Sequence, residues 1–157
     1  IQTSALIYFT ICLSVVLFHV CMIAGAPWGR LTQGGANAGK LPARGRIAAG
    51  FAALLMLAMG LSMISAAGFT PNWPIWTGWT TLALTVISVI ANLATPSIAE
   101  RKLWGPVTII MLGLATFVMV LFKQNIDQNR QSIPPARCAF MVSDPKDNVV
   151  YADFQAK

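Results

Sequence analysis

Four long apolar segments dominate the first 122 residues of the chain. They run over 4–26, 47–67, 76–94 and 103–122. A membrane-spanning helix needs about 20 apolar residues at about 1.5 Å rise per residue, and each segment is close to that length. The pattern therefore predicts an all-α membrane protein, with a four-transmembrane-helix bundle over 1–122.

The chain becomes polar after Phe122, and 123–157 is predicted to be an extramembrane tail. In it, two runs rich in apolar residues, 137–143 and 148–154, flank the sequence Asp-Pro-Lys-Asp at 144–147. Turn-forming residues between two such runs favour a β-hairpin.

A lone hairpin of this kind is marginally stable in water and would expose apolar side chains. We therefore expect the tail to dock, either on a polypeptide partner or on the protein's own outer loops. The candidate partner-binding residues are Phe140, Val142, Val150, Tyr151 and Phe154.

The chain has a net charge of +6, yet only 10% of its residues are charged and 56% are hydrophobic. This composition argues against a disordered chain and against nucleic-acid binding, so we interpret the basic residues as topology signals. They concentrate in the first and third connections, which places these in the cytoplasm and the amino end, second connection and tail outside. The residues predicted to contact lipid headgroups are Lys40, Arg44, Arg46, Arg101 and Lys102.

All five tryptophans lie near the ends of the predicted spans, where an indole meets the headgroup region. They are Trp28, Trp73, Trp76, Trp79 and Trp104. The first segment is longer than the apolar core of a signal peptide and lacks a basic segment before it. We therefore expect it to be a retained helix.

The connections carry their own signals. The first, 27–45, is rich in glycine and has no hydrophobic period, which predicts a loop on the cytoplasmic surface beside the lipid headgroups. Ser97 and Glu100 have the capping-box spacing that starts a helix. Pro106 follows, so we expect a short interfacial helix and then a bend into the fourth span.

His19 is the chain's only histidine, and it lies within the first predicted span. An ionisable side chain is costly inside a membrane, which makes His19 a candidate cofactor-binding residue. Cys12 and Met22 lie near it along the helix, and Met56 begins a methionine stripe in span two; these side chains suit copper or haem. Hydrogen bonding of a neutral histidine to a neighbouring helix is the simpler interpretation, and no metal site is predicted.

The third span carries a polar stripe at helical spacing, formed by Thr81, Thr85, Ser88, Asn92 and Thr95. Such a stripe faces other helices or a cavity, because it is costly to expose to lipid. Adhesion between helices, a path for a small solute, and a pocket for a quinone or a lipid headgroup are all open. Asn92 is the second candidate cofactor-binding residue.

No pair of a nucleophile and a base can be assembled from the sequence. Glu100 is the only glutamate, and all four aspartates lie in 123–157. His19 is expected to be buried in the membrane, away from both. Hydrolytic and acid-base chemistry needs such groups within hydrogen-bond reach, so no enzyme activity is predicted.

Three motifs carry a resemblance. They are Gly25-Ala26-Pro27-Trp28-Gly29, Leu41-Pro42 and the run from Glu100-Arg101 to Trp104-Gly105-Pro106. Over about residues 5–122 the chain resembles a group of small uncharacterised bacterial inner-membrane proteins with four spans. The resemblance implies the fold and a bacterial inner-membrane location, and it implies no activity.

Together these observations predict a noncatalytic accessory or structural subunit of a larger membrane complex, without a cofactor. It would pack through its helices against lipid and other subunits and dock through its tail. One alternative is a redox protein with a quinone or haem site at His19 and the polar face of span three. The other is a small-solute pore along that face.

Overall fold

The computed structural model describes residues 1–132 and the short segments 142–143 and 149–150. In this part of the chain there are four α-helices, each long and apolar enough to cross a membrane. They are α1 (Gln2–Ala24), α2 (Ala43–Ala66), α3 (Trp76–Ala94) and α4 (Ile98–Ser132). The prediction of an all-α, four-helix membrane bundle is confirmed.

The chain divides into two compact units, Ile1–Lys123 and Gln124–Lys157. The second unit contains the end of α4 and two strands of two residues each, β1 (Val142–Ser143) and β2 (Val149–Val150). The strands pair antiparallel, with Val142 opposite Val150. The rest of the predicted hairpin lies outside the described residues.

The outer faces of the helices carry large apolar side chains. Phe51 is 71% exposed, Trp76 is 64% exposed and Leu17 is 63% exposed. Side chains of this kind are costly to expose to water and favourable in lipid, so the first unit is a membrane bundle whose surface contacts lipid.

A packed core lies between α1, α2 and α4, towards the amino end of α1. Its buried members are Ala5, Tyr8, Cys12, Met63, Ala66, Met111, Ala115, Val118 and Met119. Gly60 allows the close approach of α1 and α2, because a Cβ there would lie 2.8 Å from Phe9 Cδ2 and 3.1 Å from Cys12 Cβ. Small residues at such crossings let membrane helices pack by van der Waals contact.

Tyr8 ties α1 to α3 across this core. Its hydroxyl lies 3.0 Å from Thr85 Oγ1, and the Thr85 hydroxyl donates to the Thr81 carbonyl at 2.8 Å. Because Thr85 already donates its hydrogen, Tyr8 is the donor in the bond between them.

Loop 1, residues 25–42, packs against the connection between α3 and α4 and against the first turns of α4. The Trp104 indole Nε1 donates to the Leu31 carbonyl at 2.7 Å, and the Ser97 hydroxyl donates to the Arg30 carbonyl at 3.0 Å. Loop 1 and the α3–α4 connection therefore lie at the same end of the bundle. The sequence predicted a loop facing lipid headgroups, and these contacts to the protein were not foreseen.

Helix α4 differs from its prediction at its amino end. It begins at Ile98 and continues through Pro106, so the expected short interfacial helix and fourth span are one helix. The start follows the predicted cap, because the Glu100 N–H donates to Ser97 Oγ at 3.3 Å. Proline leaves a carbonyl without its helical donor, and a helix tolerates this where neighbouring groups compensate.

Candidate functional site: a polar cavity under loop 1

A cavity of about 140 Å³ lies at the loop 1 end of the bundle. All four helices and loop 1 contribute to its lining. The polar side chains in that lining are His19, Thr32, Thr85, Ser88, Asn92, Glu100 and Thr108. Both residues proposed from the sequence as cofactor contacts, His19 and Asn92, therefore face one space, although they are 73 positions apart (92 − 19).

His19 reaches this cavity from α1 with one unsatisfied ring nitrogen. Nδ1 is buried and makes no hydrogen bond to any residue in the part of the chain that the structure describes. The imidazole packs edge-on against Phe18, with 5.7 Å between ring centroids. A buried polar atom without a partner is costly, and the side chain that carries this atom lines the cavity.

Asn92 and Ser88 lie one turn apart on α3 and are bonded to each other. Asn92 Nδ2 donates to the Ser88 carbonyl at 2.8 Å and lies 3.3 Å from Ser88 Oγ. These bonds use the amide nitrogen, so Asn92 Oδ1 is available as an acceptor. The Ser88 hydroxyl retains its hydrogen as a donor in the described hydrogen-bond network.

Two other polar residues in the lining are already satisfied. Thr85 donates to Thr81 and accepts from Tyr8. Thr108 donates to the Trp104 carbonyl at 2.8 Å, within its own helix. The polar groups in the lining that are not already satisfied therefore include His19, Ser88 and Asn92, together with the Thr32 hydroxyl of loop 1.

Glu100 closes the cavity from the first turn of α4. Its Oε2 accepts hydrogen bonds from the Gly34 N–H at 2.8 Å and from the Thr95 hydroxyl at 2.9 Å. The expectation that the glutamate and His19 lie apart is wrong, because both line this cavity. The fourth span was predicted to begin at 103, with Glu100 before it in a short interfacial helix, whereas the structure has Glu100 in the first turn of α4.

Trp104 forms a wall of the cavity and is held in place on two sides. Its indole is bonded to Leu31, and its ring packs edge-on against Phe18 at 5.0 Å between centroids. Phe18 in turn stacks on Trp28 at 6.1 Å. From the sequence, Trp28 and Trp104 were predicted to be interfacial anchors, and this aromatic cluster was not predicted.

The soft ligands expected near His19 do not converge on it. Cys12 is fully buried in the packed core, and Met22 is buried in a separate cluster with Leu41 and Ala49. Met56 does line the cavity. In the described residues no group of three His, Cys, Asp or Glu side chains could hold a metal ion.

The volume of the cavity bears on the two cofactors considered. A cavity of about 150 Å³ holds a single benzene ring, and this cavity is close to that volume. A haem is a macrocycle built from four pyrrole rings and is much larger than this volume. A quinone has a single six-membered ring.

The polar stripe of α3 does not line an open path through the described bundle. Thr81 is 3% exposed and Thr85 is 1% exposed, and Tyr8 covers this end of the stripe. The methionine-rich packed core continues from there. Thr81 is therefore buried between helices, and Thr85 is both buried there and part of the cavity lining. Ser88 and Asn92 line the cavity, and the Thr95 hydroxyl donates to Glu100.

The predicted lipid-headgroup residues lie around the same end of the bundle. Lys40, Arg44, Arg101 and Lys102 are exposed, and Arg46 is half-buried. Two of the guanidinium groups also contact the backbone: Arg46 Nε donates to Leu41 and Arg101 to Thr95.

The proposed partner-binding residues of the tail are not tested. Phe140, Tyr151 and Phe154 lie outside the described residues. Val142 and Val150 are described only as backbone partners in the two-stranded pairing. Docking of the tail therefore stays a prediction.

Tyr8, Trp104 and Glu100 were not singled out as site residues from the sequence. One signal was present for Tyr8, since a hydroxyl within a span needs a hydrogen-bond partner on another helix. Nothing in the sequence identifies that partner as Thr85. Comparisons with protein families, with curated proteins and with solved structures found no match to this chain.

Proposed function

We propose that this membrane protein binds the ring of a lipid-soluble quinone in the cavity between His19, Ser88 and Asn92. The observation that carries the proposal is that His19, whose buried Nδ1 has no hydrogen-bond partner among the described residues, lines one cavity together with Ser88 and Asn92. Ligand sites in helical bundles combine apolar side chains with polar groups that fix orientation, and side chains such as Phe18, Val107 and Met111 line this cavity beside the polar ones.

The free polar groups suit the oxygens of such a ring. A quinone offers carbonyl acceptors, which match the Ser88 hydroxyl and a protonated His19 Nδ1. The reduced ring offers hydroxyl donors, which match Asn92 Oδ1 and an unprotonated His19 Nδ1. One set of side chains can therefore hold both forms.

The ring also finds apolar contacts. Phe18, Trp104 and Val107 lie in the lining, and aromatic rings favour edge or offset contacts with one another. A bound quinone supplies the capacity to accept two electrons and two protons. The protein's own residues bind and orient the ring, and Glu100 and loop 1 shield it from water.

The proposal is tested with the purified protein in lipid nanodiscs and 2,3-dimethoxy-5-methyl-1,4-benzoquinone as the probe. Trp104 lies in the cavity wall, so we expect saturable quenching of tryptophan fluorescence. Trp104→Phe should remove most of the saturable part. Trp76→Phe, at a lipid-exposed indole, should leave it unchanged.

Two variants in α3 locate the polar contacts. Asn92→Leu should weaken binding about tenfold, because it removes a hydrogen-bonding group and the native volume is nearly kept. Thr80→Val is the matched control, since the Thr80 hydroxyl bonds only to its own helix at Trp76. Unsaturable quenching, or equal effects of both variants, would mean that the cavity holds only water.

Membership of a larger assembly is a second proposal, and it is compatible with the first. We propose that the protein is a noncatalytic subunit, supported by the sequence pattern of its tail. Deletion of 132–157 should release copurifying polypeptides after gentle extraction. A native particle containing only this chain would contradict it.

We also propose that the protein lies in a bacterial inner membrane with loop 1 inside. The shared end of loop 1 and the α3–α4 connection supports this, because the basic residues of both then face one side. Cys138 should react with an impermeant thiol reagent added outside intact cells. Reaction only after lysis would reverse the orientation.

A further inference from the structure

An apolar space adjoins the polar cavity on the outer side of the bundle. It has a volume of about 380 Å³ and lies between α1 and α4. Its lining is Ile11, Ser14, Val15, Trp104, Val107 and Ile110. We call it the α1–α4 groove.

Three residues line both the groove and the cavity: Val15, Trp104 and Val107. In the part of the chain that the structure describes, the two spaces therefore share a wall formed by these side chains. Trp104 is fixed by its bonds to loop 1, whereas the valines contribute only small side chains to the partition.

The groove offers no group that would hold a polar molecule. Ser14 is its only hydroxyl, and that hydroxyl donates to the Thr10 carbonyl at 3.0 Å within α1. Ile110, on the opposite wall, is 55% exposed at the lipid-facing surface. The groove is thus an apolar channel that runs from the membrane to the wall of a polar, ring-sized cavity.

We infer that the α1–α4 groove holds the hydrocarbon tail of the ligand, and that the ligand passes sideways from the membrane between Val15 and Val107. This inference rests on the proposed ring site. It narrows the ligand to a quinone with a long apolar tail, such as a polyprenyl chain. It also follows from volume, because a cavity of about 140 Å³ filled by the ring leaves no room for a tail.

The test compares the tailless benzoquinone with its decyl derivative in the same nanodiscs. Ile110→Phe narrows the groove, and Ile109→Phe is the matched control. The two isoleucines are 55% and 51% exposed, and only Ile110 lines the groove. We expect Ile110→Phe to weaken binding of the decyl derivative about tenfold, since a steric change of a few methylenes has that effect in apolar pockets.

Binding of the tailless ring should change less than twofold in both variants. Ser14→Leu fills the groove from α1 and should repeat the effect, which protects the test against a folding defect in one variant. If the ring binds but Ile110→Phe and Ser14→Leu leave the decyl affinity unchanged, the groove inference is overturned and the ring site stands. If the tailless ring does not bind the native protein, both fail.

Discussion

The packed core and the His19 cavity lie in the same bundle but differ in whether their buried polar groups are hydrogen-bonded. In the packed core the Tyr8 hydroxyl has its partner in Thr85, and a glycine brings α1 and α2 into contact. In the cavity, Nδ1 of His19 has no partner among the described residues. Stability alone explains the first arrangement, whereas the second needs a ligand or water to satisfy it.

The largest loss of stability is expected when the glycine at the crossing of α1 and α2 is replaced. Gly60→Leu should destabilise the bundle by about 3 kcal/mol, because the added side chain must displace Phe9 and Cys12. Gly113→Leu is the control, since a Cβ there meets no heavy atom within 4 Å among the described residues. The free energy of unfolding in mixed detergent micelles measures both. Equal losses would show that the packed core is not close-packed at Gly60.

The second-largest loss of stability is expected at Glu100, whose hydrogen bonds hold loop 1 over the cavity. Glu100→Ala removes the acceptor of the Gly34 amide and the Thr95 hydroxyl, and should cost about 2 kcal/mol. Glu100→Gln keeps a side-chain carbonyl and should lose less. Hydrogen exchange at the Gly34 amide should speed up in the alanine variant. Unchanged exchange there would argue against the role of Glu100 in holding loop 1.

The buried hydroxyl pair should have a moderate effect. Tyr8→Phe should cost about 0.6 kcal/mol and at most about 1.7 kcal/mol, the average and the maximum measured for hydrogen bonds between helices of a membrane protein. A double-mutant cycle with Thr85→Val isolates the bond between the two side chains. A coupling energy near zero would mean that this part of the core is held by packing alone.

The smallest effect is expected at the centre of the cavity. His19→Leu should leave the free energy of unfolding unchanged or raise it, because a buried polar atom is removed and no hydrogen bond of Nδ1 in the described residues is lost. The same variant should abolish saturable quenching by the benzoquinone. A loss of stability as large as that of Tyr8→Phe would mean that His19 makes a structural hydrogen bond, and the cavity would then not differ from the packed core in this respect.

The spans were predictable because bilayer thickness and hydropathy act on long segments. The helix boundaries were less predictable. The charges of Glu100 and Arg101 suggested a connection at this point, although the capping residue Ser97 already indicated where α4 begins. A charged residue can remain in a helix end when other groups bind it, as Gly34 and Thr95 bind Glu100.

Single residues of the cavity could be predicted from the sequence, but the cavity itself could not. His19 and Asn92 stood out because polar groups are rare in spans, but their meeting depends on helix register and rotation. Those are set by packing at positions such as Gly60, and by the fold of loop 1. The sequence of one chain does not reveal which helix faces pair, so neither the Tyr8–Thr85 hydrogen bond nor the presence of His19 and Glu100 in one cavity was predicted.

The bond from Gly34 to Glu100 has a consequence for synthesis at the ribosome. The donor is made 66 positions before the acceptor (100 − 34), after α1 but before α2. The first helical hairpin can therefore insert into the membrane well before its connecting loop acquires this contact. A nascent chain halted after α3 should have that loop open to protease, and the loop should become resistant once the first turn of α4 has emerged.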